Sequence, residues 1–342
     1  VFAPQRAAAQ AVNAGGTVTN GVAFIDSPAQ GETTVDVVTS TTVIDWQPAL
    51  DNGGNALTFL PQGNTLQFRS SQLPSFAVLN RILPSPNNNI AVINGNVISR
   101  VVNPATGAQV AGGFVAFYSP TGLLIGSTAT FDVGSLLLTT LDTTPASFDN
   151  FANGGNLSLQ AAAGSTARIR INPGAQISAL AENSFFAVVA ADIEMLGTAR
   201  INGSHAYVAG EVVNLQVSSG LFNITIPVGT AASGEVVTLN GDVGGPSSNG
   251  VGDSHILYAL ARAQQDPISM LFSGNLGFDP AQSAGIVNGE IILSANYNVF
   301  GRSVDTGAID QGIAAQFLDV SATSDVRADV ILEDFNARSS VL

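Results

Sequence analysis

The feature that most constrains this chain is that it repeats itself imperfectly. "NPGAQISA" (172–179) returns as "LGTARING" (196–203), with Gly174 answered by Gly197 at an offset of 23 and Ile177 by Ile201 at an offset of 24. "VAADI" (189–193) returns as "VAGEV" (208–212) at an offset of 19. Echoes of about 20–25 residues are the signature of successive rungs in a solenoid. An antiparallel sandwich would place strands at about 8–12 residue spacing with no longer echo. Between the echoes the chain is full of short runs with aliphatic or β-branched residues at period two: "TTVDVVTSTTVIDW" (33–46), "NTLQFR" (64–69), "ARIRI" (167–171) and "EVVNLQV" (211–217). Such runs read as strands. The expected fold is all-β, a right-handed parallel β-helix with an N-terminal cap over residues 1–35 and extra-helical hairpins. Rungs are expected over 36–220 and again, with loop excursions, over 221–342. Ile171, Ile177, Val189, Ile193, Ile201 and Val208 are expected to point inside.

A solenoid explains the composition. Backbones pair between rungs about 4.8 Å apart and inward side chains stack into a narrow dry core, so charge is not needed inside and small residues suit the corners. Only 11% of the 342 residues are charged, 45% are hydrophobic, and there are 36 glycines. Disorder needs the opposite composition. The segment "FVAFYSPTGLLIGSTATFDVGSLLLTTLD" (114–142) carries only two charges in 29 positions. At about 22 residues per rung, about 300 residues of it would make about 13 rungs, a rod about 60 Å long.

Charge excludes several functions. The 11 basic residues are all Arg, and the formal net charge is −14. No basic stripe exists to neutralise nucleic-acid phosphates or to hold an anionic membrane surface. There is no cysteine, which removes disulfides and thiolate metal sites. Apolar stretches are interrupted by Gly, Ser, Thr and Pro well short of the ~20 residues of a spanning helix, and a soluble product is expected. The chain begins at Val1, consistent with a processed or truncated form whose signal peptide has been removed. "APQRAAAQAV" (3–12) reads as a short helix or a loose segment. "DSHILYALARAQQ" (253–265) reads equally as a helix capped by Asp253 or Ser254 and as a strand with Ile256, Tyr258 and Leu260 on one face.

Enzymatic chemistry finds little support. Parallel β-helices host polysaccharide lyases and hydrolases, which need clustered carboxylates. Here Asp132, Asp142, Asp149, Asp192 and Glu194 are scattered along the sequence. His205 and His255 belong to no metal-ligand spacing, and no GxSxG elbow occurs. "NGDVGGPSSNGVGD" (240–253) lacks the ending of a phosphate cradle and reads as an excursion between rungs. The repeat of Ca²⁺-binding β-rolls is missing. No catalytic residue, metal or cofactor is assigned.

Four segments occur in a familiar order: "TTVIDW" (41–46), "VLNRIL" (78–83), "NGNVISRV" (94–101) and "YSPTGLLIGSTATFDVGSLLLTTLDTT" (118–144). Together with "INPGAQISA…AYVAGEVVNL" they resemble the N-terminal secretion domain of the filamentous haemagglutinin family over about residues 30–220. The resemblance implies a protein secreted by a Gram-negative bacterium, or held on its surface, through a dedicated outer-membrane β-barrel transporter. It further implies an adhesin or fibre with a host or cell-surface glycan or protein receptor. The family's Asn-Pro-Asn-Gly-Ile turn corresponds here to Ser119, Pro120, Thr121, Gly122 and Leu123, of which only Pro and Gly are kept. Its other turn has only a suggestive counterpart in "PSPNNN" (84–89).

Read by itself, the turn has Pro120 to preset φ and Gly122 to take a positive φ. Ser119 and Thr121 can bond the local backbone, as in a plain solenoid corner; if a transporter reads the turn, they are expected to display their hydroxyls to it. Trp46, the single Trp, is expected to plug the first rungs. Arg81 and Arg100 are expected on solvated loops or paired with carboxylates. Two other readings remain: a self-assembling filament whose rod ends stack, and a rod that binds or cleaves polysaccharide.

Overall fold

The computed structural model describes residues 10–48, 57–218, 221–245 and 256–264, and strand segments between 268 and 337. The chain winds through three flat faces. The first holds Thr41–Pro48, Ala77–Ile82, Phe114–Tyr118 and Ser135–Thr139 in parallel register. The second starts with Leu57–Leu60, Ala91–Ile93, Leu123–Ile125 and Arg168–Ile171. The third starts with Glu32–Val37, Thr65–Arg69, Asn96–Val102 and Thr130–Asp132. Two long strands, Gln176–Ala190 and Thr198–Ala209, bend from the third face into the first and pair along both. The first and third faces therefore form one 19-stranded sheet, while the second is a separate eight-stranded sheet ending at Ala328–Leu332.

The N-terminal end is closed on all three faces. Ala14–Asn20 runs antiparallel on Thr41–Pro48, and Ala23–Asp26 runs antiparallel on Glu32–Val37. On the second face Asn13 donates its backbone N–H to the Phe59 carbonyl and its side-chain amide to the Thr58 carbonyl, both at 2.8 Å. These strands cover the first parallel rung and become the sheet's own edge, since among the described residues Ala14–Asn20 pairs only with Thr41–Pro48 and Ala23–Asp26 only with Glu32–Val37. Gly16 faces Trp46 across the first pairing, and a Cβ there would sit 2.6 Å from the indole ring. Only glycine lets the cap strand lie on so large a side chain.

The lumen is filled by alternate residues of the strands on the three faces, among them Ile44, Val78, Leu66, Ile93, Ile125, Ile177 and Ile193. Near the capped end it is aromatic. Trp46 meets Phe59 edge-on at 5.7 Å, and Phe117 meets Phe59, Phe68 and Phe131, each at 6.3 Å. Full burial of such a side chain contributes about 1.5–3 kcal/mol.

A second apolar cluster lies outside the lumen, on the outer side of the first face. It is roofed by one helix, α1 (Pro145–Ala152), by the strand Leu157–Gln160 and by the hairpin Val212–Ser218/Leu221–Val228. Thr144 caps α1, its hydroxyl accepting from the Ser147 N–H at 3.2 Å, and Pro145 takes the first turn where no N–H is required. Phe148 and Phe151 of α1 pack on Phe114 at 5.5 and 5.6 Å, and Phe185 approaches Phe114 at 5.1 Å. First-face strands are thus buried on both sides. "FVAFY" is buried at all five positions, which is why it reads as a continuous apolar run rather than an alternation.

The structure bears out the parallel solenoid and corrects four details of the sequence reading. Val189 pairs with Val208 as the 19-residue echo requires, but Ile177 pairs with Ala199 and it is Ala179 that faces Ile201. Val189 and Val208 are buried in the outer cluster rather than the lumen, because they alternate with Val188 and Tyr207, which point inward. Rungs are fewer than a 22-residue period implies. Gln176 and Thr198 are 22 apart, but Glu32 and Thr65 are 33 apart, and Thr198 and Asp242 are 44 apart because the Val212–Val228 hairpin leaves the coil between them. "NGDVGG" is not all excursion: Asp242–Gly244 is a rung strand on Thr198–Arg200, while residues 246–255, His255 among them, lie outside the described set. Of the helix-or-strand alternatives for 253–265, Ile256–Ala261 is a first-face strand on His205–Ala209. Residues 1–9 also lie outside the described set, and Ala11 and Val12 are buried under the cap.

Candidate functional site

The turn 119–122 is the corner between the first and second faces, joining Phe114–Tyr118 to Leu123–Ile125. It closes with the Gly122 N–H donating to the Ser119 carbonyl at 3.2 Å, and Gly122 sits at φ +107°. A Cβ on Gly122 would lie 2.7 Å from the Arg168 carbonyl of the next rung. The glycine is therefore required both by its conformation and by the close approach of the neighbouring backbone.

The hydroxyls of this corner bond each other and neighbouring backbone, with Thr121 half-buried. Ser119 is 1% exposed, and its hydroxyl lies 3.2 Å from that of Thr121. The Thr121 hydroxyl donates to the Asn89 carbonyl at 2.9 Å. Asn89 belongs to the corner of the preceding rung, where the Asn88 N–H donates to the Ser85 carbonyl at 2.9 Å and the Ser85 hydroxyl accepts from the Asn89 N–H at 3.2 Å. The two turns singled out in the sequence, 84–89 and 119–123, are thus stacked and bonded to each other. Leu123 is fully buried and Pro120 half-buried.

Trp46 lies in the lumen of the first rung. Its indole N–H donates to the Asn80 side-chain carbonyl at 3.0 Å, and the Asn80 amide donates to the Ala116 carbonyl at 3.1 Å. Asn80 is fully buried, and sequence reasoning missed its role. The signal was present, since Asn80 is the polar residue at an inward position of "VLNRIL". Its neighbour Arg81 points outward, 2.9 Å from Asp142 and 3.5 Å from Asp45, with its guanidinium 5.9 Å from the centre of the Tyr118 ring. Burial, together with the nearby Asp142 carboxylate, pushes the Tyr118 phenol up to about 12.

The remaining acids that looked scattered are gathered the same way. Arg100 pairs with Asp132 one rung on. Arg168 bridges Asp192 at 2.6 Å and Glu194 at 2.8 Å, and Arg170 also reaches Glu194 at 2.8 Å. Asp149 accepts from the Thr41 hydroxyl at 2.7 Å. Burial pushes the Asp192 carboxyl above its usual range despite the opposing pull of Arg168. Stacked rungs place a residue beside its counterpart one turn away, so charges tens of residues apart become cross-strand pairs. His205 is buried, its Nε2 3.0 Å from the Gly244 carbonyl and its Nδ1 3.4 Å from the Tyr207 hydroxyl. Among the described residues no group of three His, Cys, Asp or Glu converges as a metal site would require, and no helix is long and apolar enough to cross a membrane.

No family model matches the chain, nor does any curated protein. Matching solved structures include the secretion domain of HMW1 from Haemophilus influenzae, 16% identical with a TM-score of 0.48, covering 93% of this chain and 83% of that one. They also include the secretion domain of filamentous hemagglutinin, 13% identical with a TM-score of 0.42, covering 96% of this chain and 100% of that one.

Proposed function

We propose that residues 36–220 form the export domain of a secreted or surface-held adhesin or fibre of a Gram-negative bacterium, led across the outer membrane by a β-barrel transporter. Residues 221–342 then extend the same rod. One observation carries this reading: the sequence segments that resemble a secretion domain occupy consecutive rungs and touch. Trp46 of the first bonds Asn80 of the second, Asn80 bonds Ala116 beside the fourth, and Arg81 ties Asp45 of the first to Asp142 of the fourth. These contacts join the segments across neighbouring rungs. Asp132, Asp142 and Asp192, which the sequence shows as scattered, are each held in an arginine pair rather than as a free acid pair of the kind a glycosidase uses.

The test is export from the native host with its outer-membrane β-barrel transporters deleted one at a time. Loss of one transporter should stop release of the protein and leave it in the periplasm. Release that survives every such deletion would overturn the reading.

A further inference from the structure

The outer side of the third face breaks the charge pairing seen elsewhere. In register, Phe24 stands beside Asp36, Asp36 beside Arg69, and Arg69 beside Arg100. Two arginines are therefore neighbours in one ladder, where like charges directly across from each other are destabilising. On the second face, by contrast, Arg168 stands beside Asp192 and Arg170 beside Glu194. The carboxylates that answer the third-face pair lie on its two flanks. Asp36 accepts from Arg69 Nε at 2.5 Å and from Arg69 Nη2 at 3.2 Å, while Asp132, one rung beyond, accepts from Arg100 Nη2. Across the face the charges thus run negative, positive, positive, negative, and the strip between the two arginines is the positive part of the row.

That strip is open. A groove of about 770 Å³ runs over Arg69 and Arg100, within the size range of small-ligand sites. Both side chains reach solvent, at 48% and 24% exposure. Among the described residues Arg69 Nη1 and Arg100 Nε make no hydrogen bond, and neither do the carboxamides of Gln67 and Gln72 in the same groove. One wall is apolar, since it holds Phe24, 64% exposed, and the exposed Val38. These features select the ligand. Two carboxylates already balance the two guanidinium groups, so a singly charged group gains from the place it takes, whereas a dianion would build up negative charge. Guanidinium forks and carboxamide N–H groups suit a planar carboxylate. Phe24 and Val38 suit an apolar body attached to it, and Phe24 lies two strand spacings from Arg69, about 9–10 Å. We propose that this groove binds a monocarboxylate with an apolar body of about that length, its carboxylate between Arg69 and Arg100 and its body on Phe24. The proposal stands apart from the export reading, because it rests on the charge order of the third face and not on any transporter.

The experiment is saturation-transfer NMR on the full chain with octanoate, and with acetate and octanamide as controls that lack the body and the charge. Octanoate should bind saturably, and both controls about tenfold or more weakly than it. Arg69→Gln and Arg100→Gln should each weaken octanoate about tenfold or more, because each removes a charged donor. Both variants should melt near the native temperature, since the pairs they break are solvent-accessible. Gln72→Trp, at an exposed groove position, should block octanoate while keeping both arginines. Absence of saturable octanoate binding overturns the proposal. So does octanamide binding as tightly as octanoate, which would leave apolar contact as the whole attraction, or octanoate binding unchanged in the three variants.

Discussion

The Trp46 indole N–H donates to the Asn80 side-chain carbonyl at 3.0 Å across two rungs of the lumen, and Asn80 in turn donates to Ala116. Two polar groups are thereby buried with partners in an otherwise apolar core. Asn80→Leu should orphan the indole and cost about 1–3 kcal/mol. Trp46→Phe in the same chain should recover part of that loss, so thermal melts of the two single variants and the double variant should be clearly non-additive. Additive losses would mean that the bond is incidental.

Gly122→Val should destabilise the protein by about 1–3 kcal/mol or more, since φ is positive there and the Arg168 carbonyl stands where a Cβ would go. Denaturant midpoints read this directly.

The inward hydroxyls of the same corner lead to a separate expectation. Ser119→Ala with Thr121→Ala removes the bond to Asn89 and should cost about 1 kcal/mol, while Thr121→Ser, which keeps the hydroxyl, should melt near the native temperature. A double Ala variant as stable as the native chain would show that the bond between corners contributes nothing.

Phe148→Ala opens the outer cluster without touching the lumen, and should cost about 3–5 kcal/mol. The loss should be local. Limited proteolysis is expected to cut between about residues 140 and 165 while the rungs remain protected, because α1 and its neighbouring strand leave the coil and do not carry the ladder pairing. Cutting spread evenly along the chain would sink this picture.

Asp192 titrates above its ordinary value because burial outweighs the pull of Arg168. For an acid whose folded value is raised, the folded state holds the proton more tightly. The contribution of this group to stability is therefore full below the ordinary value of 3.8 and is lost as pH rises through the folded value. Asp192→Asn should flatten that part of the stability profile, and should be neutral or stabilising near pH 7. A carboxyl titration by NMR that places Asp192 below 3.8 would remove the basis for this expectation.

Much of this architecture is written locally. Alternation at period two fixes which way each side chain of a strand points, and the 19-residue echo of Val189 in Val208 already states which rung lies on which. Pro120 and Gly122 announce a corner through their own backbone preferences, and the unique Trp46 announces a plug. All of these signals operate within a few residues or within one short rung. Tertiary structure decided the rest. Alternation separates the two sides of a strand but does not say whether the outer side is covered, so Val189 and Val208 were assigned to the lumen although α1 and a hairpin bury them from outside. The partners of Arg81 lie 36 and 61 residues away, separations set by how much chain leaves the coil at each corner. Rungs of 22, 33 and 44 residues differ in length, so no single offset runs along the sequence to betray them. The corner hydroxyls turned inward for the same reason: whether Thr121 meets water or the Asn89 carbonyl depends on the height of the rung beneath, which is fixed by ladder pairing and not by the turn.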